Sequence, residues 1–151
     1  MNIINAQVEV LKEALNVTYG TLDDKVIYGT LDDKVIIGNN TRLYVISKEV
    51  CALDLTNVAC VQVLQESTLK NFVNDKECIE IELTNDIRVL DDKRTVRVFT
   101  NGKENIYIDE RLLKNFDLKK SSFKGRGAKS IVYIYEDEVM VGFLLPVVIV
   151  K

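Results

Sequence analysis

The sequence predicts an α+β protein made of two β-α-β-β-β-like halves, each with an antiparallel sheet and one short helix. Three observations carry that reading. Tyr19–Ile27 is repeated without change as Tyr28–Ile36, and a looser third copy runs from Ile37 to Ile46. Each copy is an apolar stretch, a polar turn and an apolar stretch, which is the unit of a hairpin meander. Second, strand-like apolar runs recur with turn residues between them along most of the chain. Third, Asn2-Ile3-Ile4-Asn5 and Asn105-Ile106-Tyr107-Ile108-Asp109 both read as a short strand, a polar cap and an amphipathic helix.

In order along the chain, Ile3-Ile4 reads as a strand. Asn5 then caps a helix that carries Val8, Leu11 and Leu15 on its core face. Strands follow near Lys25–Tyr28, Lys34–Ile37 and Leu43–Ser47, separated by Leu-Asp-Asp-Lys turns. Asn57–Leu64 reads as a strand, and Ser67 or Thr68 caps one helical turn facing inward through Leu69, Phe72 and Val73. Glu77–Leu83 alternates polar and apolar. Thr84-Asn85-Asp86 turns the chain, and Ile87–Leu90 and Thr95–Phe99 flank a hairpin at Asp91-Asp92-Lys93. Asn101-Gly102 is the strongest turn signal. Asn105–Ile108 is a strand, Asp109 caps a helix over Glu110–Phe116, and Ser121–Lys129 reads as a polar loop. Ser130–Tyr135 and Glu138–Phe143 form a hairpin, and the β-branched run Phe143–Val150 reads as a buried final strand with Pro146 at a bulge or edge. No linker divides the chain, so residues 1–151 read as one domain, with pseudo-repeat halves at about 1–60 and 61–151.

Composition narrows the function classes. The formal charge is −3, which excludes a polycation built to coat nucleic acid. The distribution is uneven, however. Residues 110–129 hold seven Lys or Arg against Glu110 and Asp117, a local +5 that leaves −8 elsewhere. Such asymmetry favours an anionic partner, although a solvated loop with lysines near a helix end accounts for it equally well. The absence of His removes the commonest general base and metal ligand, and rules out Ser-His-Asp and Cys-His arrangements. Cys51, Cys60 and Cys78 match no zinc spacing. With no signal segment at the start, they suggest free thiols in a cytoplasmic protein. Cys60 and Cys78 read as core-packing residues.

The aspartate pairs Asp23-Asp24, Asp32-Asp33 and Asp91-Asp92 supply oxygen ligands. Turn chemistry explains them better, and two of the three come from one duplicated segment. Gly125-Arg126-Gly127 can bring backbone N–H groups to a phosphate, but it lacks the lysine-and-hydroxyl ending of a nucleotide loop. Tyr133 and Tyr135 share one strand face, and Phe123 is the single aromatic inside the basic stretch. The sequence therefore predicts no enzyme, no cofactor, no bound metal and no membrane span.

Two segments resemble the bacterial replicative polymerase sliding clamp. Ile106-Tyr107-Ile108-Asp109-Glu110-Arg111-Leu112-Leu113-Lys114-Asn115-Phe116 is similar to the strand and helix that open a clamp repeat. Val139-Met140-Val141-Gly142-Phe143-Leu144-Leu145-Pro146-Val147-Val148-Ile149 looks like the closing hairpin and last strand of the clamp C-terminus. The resemblance spans residues 105–151 and implies a DNA clamp-like fold acting by geometry, as a processivity or scaffold factor in replication, phage or mobile-element encoded. It implies non-specific contact with the phosphates of double-stranded DNA by Lys12, Arg111, Lys114, Lys119 and Lys120, with Lys124 and Arg126 beyond them, and assembly of several copies. A clamp chain holds three such domains and this chain holds one. The alternative is a structural or protein-interaction module, such as a virion or assembly component, that uses an exposed strand edge and does not touch DNA.

Overall fold

The computed structural model describes residues 1–16 and 26–149. The chain is α+β and divides into two compact units, Met1–Asn74 and Asp75–Lys151. The first copy of the repeat, and Asp23-Asp24 with it, lies mostly outside the described residues.

The first unit opens with helix α1, Ile3–Asn16. Ile3-Ile4 is thus helical rather than a strand. Asn2 is the reason: its Oδ1 accepts from Asn5 N at 3.0 Å and its carbonyl accepts from Ala6 N at 3.0 Å, so the helix is capped one turn earlier than expected. Strands β1 (Val26–Leu31), β2 (Lys34–Gly38) and β3 (Arg42–Ser47) form the antiparallel meander that the repeat predicts. Asp32, at φ 53°, makes the turn between β1 and β2.

The expected strand over Asn57–Leu64 shortens to β4, Val61–Val63, parallel to β1. Helix α2, Glu66–Phe72, packs on β1. Gly29 permits that close approach, since a Cβ there would lie 2.6 Å from Leu69 Cδ1. The sheet order in this unit is β4-β1-β2-β3. Cys60 is exposed at positive φ and Cys78 is half-buried, so neither is the core residue the sequence suggests.

The second unit is antiparallel, in the order β10-β9-β8-β5-β6-β7. Strand β5 runs unbroken from Ile79 to Val89. The expected turn at Thr84-Asn85-Asp86 is instead a bulge in the β5–β6 ladder, between Leu83 and Ile87. Thr84 Oγ1 stabilises it by donating to Val98 O (2.7 Å) and accepting from Asp86 N (3.2 Å). Strands β6 (Thr95–Thr100) and β7 (Asn105–Asp109) follow, joined at Asn101, whose Oδ1 accepts from Lys103 N and Glu104 N.

The expected helix over Glu110–Phe116 is one 3-10 turn, Glu110–Leu113, with Asp109 Oδ1 accepting from Arg111 N. Beyond the turn, Asn115 and Phe116 are buried, and Phe116 N donates to Leu113 O at 3.0 Å. The expected polar loop over Ser121–Lys129 begins as a strand, β8 (Ser121–Gly125). Pairing on both sides, to β5 and β9, overrides its weak strand propensity, and Phe123 packs edge-on against Phe99 at 4.8 Å. Strands β9 (Val132–Glu136) and β10 (Val139–Leu144) close the unit. The buried last strand expected over Phe143–Val150 stops at Leu144, before Pro146, and continues only as a bridge between Val147 and Tyr107.

Candidate functional site

Seven basic residues are the sequence's candidates, and they fall on both units, the six of the second unit in two groups. Lys12 is exposed on α1, in the first unit, and the other six lie in the second. There, Asp109, Ser121 and Glu136 lie at one end of the sheet, and Gly125 and Val132 at the other. Arg111, Lys114, Lys119 and Lys120 belong to the connection at the first end, while Lys124 and Arg126 lie toward the second. A strand rises about 3.3 Å per residue, so roughly 15 Å separates the two groups along β8.

The first group is interspersed with acids. Arg111 Nη2 binds Asp109 Oδ2 at 2.7 Å, and its charge also acts on Asp92. Hydrogen bonds from Arg111 hold the Asp109 carboxyl below its usual range, against the opposing effect of burial. Asp117 N donates to Glu136, and Lys119 N to Asp117. In the second group, Lys124 Nζ lies 5.0 Å from the centre of the Tyr135 ring, and Arg126 Nη2 donates to Lys76 O at 2.7 Å. Tyr133, Tyr135 and Phe123 are all buried, so none offers a face for base stacking. Burial, then a hydrogen bond to Asp75, pushes the Tyr135 hydroxyl well above its usual range. Glu104 Oε1 accepts from Ala128 N at 3.2 Å and lies 2.5 Å from where a Cβ on Gly127 would stand. A carboxylate therefore holds the place an anion would take beside the Gly125-Arg126-Gly127 segment. No group of three or more Cys, Asp or Glu that could hold a metal occurs among the described residues.

Helix α1 buries the opposite face from the one that the Val8, Leu11 and Leu15 spacing predicts. Ala6, Val10 and Ala14 are its buried apolar side chains, with Gln7 beside them. Ile4, Val8, Leu11 and Leu15 are exposed, Ile4 to 74%. At about 100° per residue these four fall within a ~60° stripe, with the 4-3-4 spacing of a helix–helix seam. The small Ala6 and Ala14 side chains let the helix backbone approach the sheet, which turns the larger residues outward. Two contacts lock this rotation. Arg42 on β3 is buried and pairs with Glu9 and with Glu13, the latter at 2.7 Å, while the Tyr44 hydroxyl donates to Glu9 at 3.0 Å. On the other side, Gln7 Nε2 donates to Val50 O at 3.2 Å and Gln7 Oε1 accepts from Ala52 N at 2.7 Å. That places Val50, itself half exposed, beside the stripe. The signal available in the sequence was the second apolar row, Ala6-Val10-Ala14, whose small residues mark a close-packed face.

Among the described residues, no helix is long and apolar enough to cross a membrane. No protein-family model, no curated protein and no solved structure matches the chain.

Proposed function

We propose that the protein is a non-enzymatic structural module that assembles with copies of itself, α1 of one copy packing on α1 of a second. The observation that carries this reading is the exposed Ile4-Val8-Leu11-Leu15 stripe. Its spacing suits another helix better than a flat surface, and a seam of this kind is self-complementary about a two-fold axis. The charges allow the pairing. Glu9 and Glu13 are held by Arg42, which leaves Lys12 as the charged side chain of α1 beside the stripe among the described residues. A polar face this poor in cations does not suit a lipid surface. With Val50, the stripe offers on the order of 500 Å² per copy, so a pair covers ~1,000 Å², the lower bound for a specific interface. The association is accordingly weak and concentration-dependent. Leu11→Lys tests it: the substitution places two like charges within the seam and lowers the mass seen by light scattering at high protein concentration. A Leu11→Lys mass equal to that of the wild type sinks the reading.

The second reading is a clamp-like, DNA-associated scaffold. It is favoured by the element order from β7 to β10, a strand, a helical turn and a three-stranded meander, which is the order the clamp resemblance calls for. Four basic residues follow that first strand, and phosphate attraction by them needs no base contact. Reversing Arg111, Lys114 and Lys119 to Glu abolishes DNA retention on this reading without unfolding the chain. Retention that survives the triple reversal, or that does not weaken with salt, rules it out.

A further inference from the structure

Strand β5 carries a long edge that its pairing with β8 does not cover. This strand pairs with β8 only over Ile79–Ile81, whereas its ladder to β6 extends to Val89. Asn85, Asp86, Ile87, Arg88 and Val89 are all exposed, Val89 to 71%. Beyond Ile81, no described strand pairs with the side of β5 that faces away from β6. Most exposed edges are protected by brevity, a covering segment or inward charges. This one is long and carries two large apolar side chains.

We infer that this edge pairs antiparallel with the same edge of a second copy, in a register centred on Ile87. The charge pattern selects the occupant and the register. With Ile87 opposite Ile87 of the second copy, Asp86 falls opposite Arg88 and Arg88 opposite Asp86. Two opposite-charge pairs thus flank one apolar pair. A shift that centres the pairing on Asp86 sets two carboxylates face to face, and one centred on Arg88 sets two guanidiniums face to face. Arg88 lies on the side where its Nη1 meets the Tyr107 hydroxyl at 3.2 Å. That contact holds Arg88 before pairing. In the same register, Leu90 of the second copy comes level with Thr84, beside a cleft of about 400 Å³ lined in part by Leu83, Leu118 and Ser122.

This surface is independent of the α1 stripe, which lies on the other unit. A chain with two self-complementary surfaces assembles beyond a dimer, and blocking either one leaves a dimer held by the other.

A charge exchange tests the inference with the full chain. Asp86→Arg and Arg88→Asp are made singly and measured, alone and mixed, by sedimentation velocity with Leu11→Lys present to silence α1. Circular dichroism establishes that each variant is folded. The parent Leu11→Lys chain is expected to dimerise. Each charge variant is expected to associate at least tenfold more weakly, because its pairs become Arg–Arg or Asp–Asp. The equimolar mixture is expected to recover the dimer, because both pairs become Arg–Asp again. A monomeric parent, unchanged association in either single variant, or a mixture that stays monomeric overturns the proposal. None of these outcomes depends on whether α1 self-associates.

Discussion

Two opposite orientations of α1 make opposite predictions, and substitutions on its two faces decide between them. With Ala6, Val10 and Ala14 inside, Val10→Ala removes two methyl groups from a fully buried position and costs about 1–2 kcal/mol. Ala14→Leu forces three extra carbons into the gap between helix and sheet and costs about 1–3 kcal/mol. Ile4→Ser and Leu15→Ser change side chains that are 74% and 62% exposed, and each stays within about 0.5 kcal/mol of the wild type. Self-association would add to the cost of the stripe substitutions, so the assay is urea unfolding at two protein concentrations, with midpoint and slope compared. At the low concentration the Ser variants match the wild type. At the high concentration they fall behind it as the seam contributes. If Leu15→Ser costs more than about 2 kcal/mol at low concentration while Ala14→Leu is neutral, the helix is rotated the other way and the stripe belongs to the core.

Three further outcomes follow from the packing. Arg42→Leu leaves Glu9 and Glu13 facing each other without their cation and costs about 3 kcal/mol by thermal unfolding; adding Glu9→Gln and Glu13→Gln recovers part of that loss. Gly29→Ala sets a Cβ 2.6 Å from Leu69 Cδ1 and costs about 1–3 kcal/mol, and the double substitution with Leu69→Ala costs less than the sum of the two singles. Asp109→Asn keeps an acceptor for Arg111 N and loses only the charge interaction with Arg111, whose side chain is 76% exposed, so it costs less than about 1 kcal/mol at neutral pH. Because the folded-state carboxyl of Asp109 lies below its ordinary range, this stabilisation is present above the unfolded value near 4. It is lost as pH falls through the folded one, so wild type and Asp109→Asn converge in acid urea titrations.

Local signals made much of the architecture legible. The Leu31-Asp32-Asp33-Lys34 turn marks β1 and β2, and Asn101-Gly102 marks the β6–β7 hairpin, because turn residues act through their own backbone. What the sequence hid was set by tertiary partners. Ser121–Gly125 is a strand because β5 and β9 flank it, and nothing in its own five residues says so. Thr84-Asn85-Asp86 reads as a turn, yet Thr84 converts it into a bulge by reaching Val98 across the sheet. Helix α1 carries two apolar rows, and the row of larger residues is the exposed one. Buried Arg42 settles the rotation, and Arg42 is thirty-three residues from Glu9. Of the candidate site, the basic residues were visible as composition only. Their separation along β8, and the acids that Asp109 and Glu136 bring among them, needed the fold.

The central claim is that α1 joins two copies of the chain. The most direct test is the absolute mass of an Ile87→Lys chain across a concentration series, since that change blocks the β5 edge and leaves α1 as the one remaining seam. A mass that rises to twice the monomer, and returns to the monomer when Leu11→Lys is added, is the predicted result. A chain that stays monomeric at the highest concentration reached contradicts the claim and leaves the exposed stripe for a different partner.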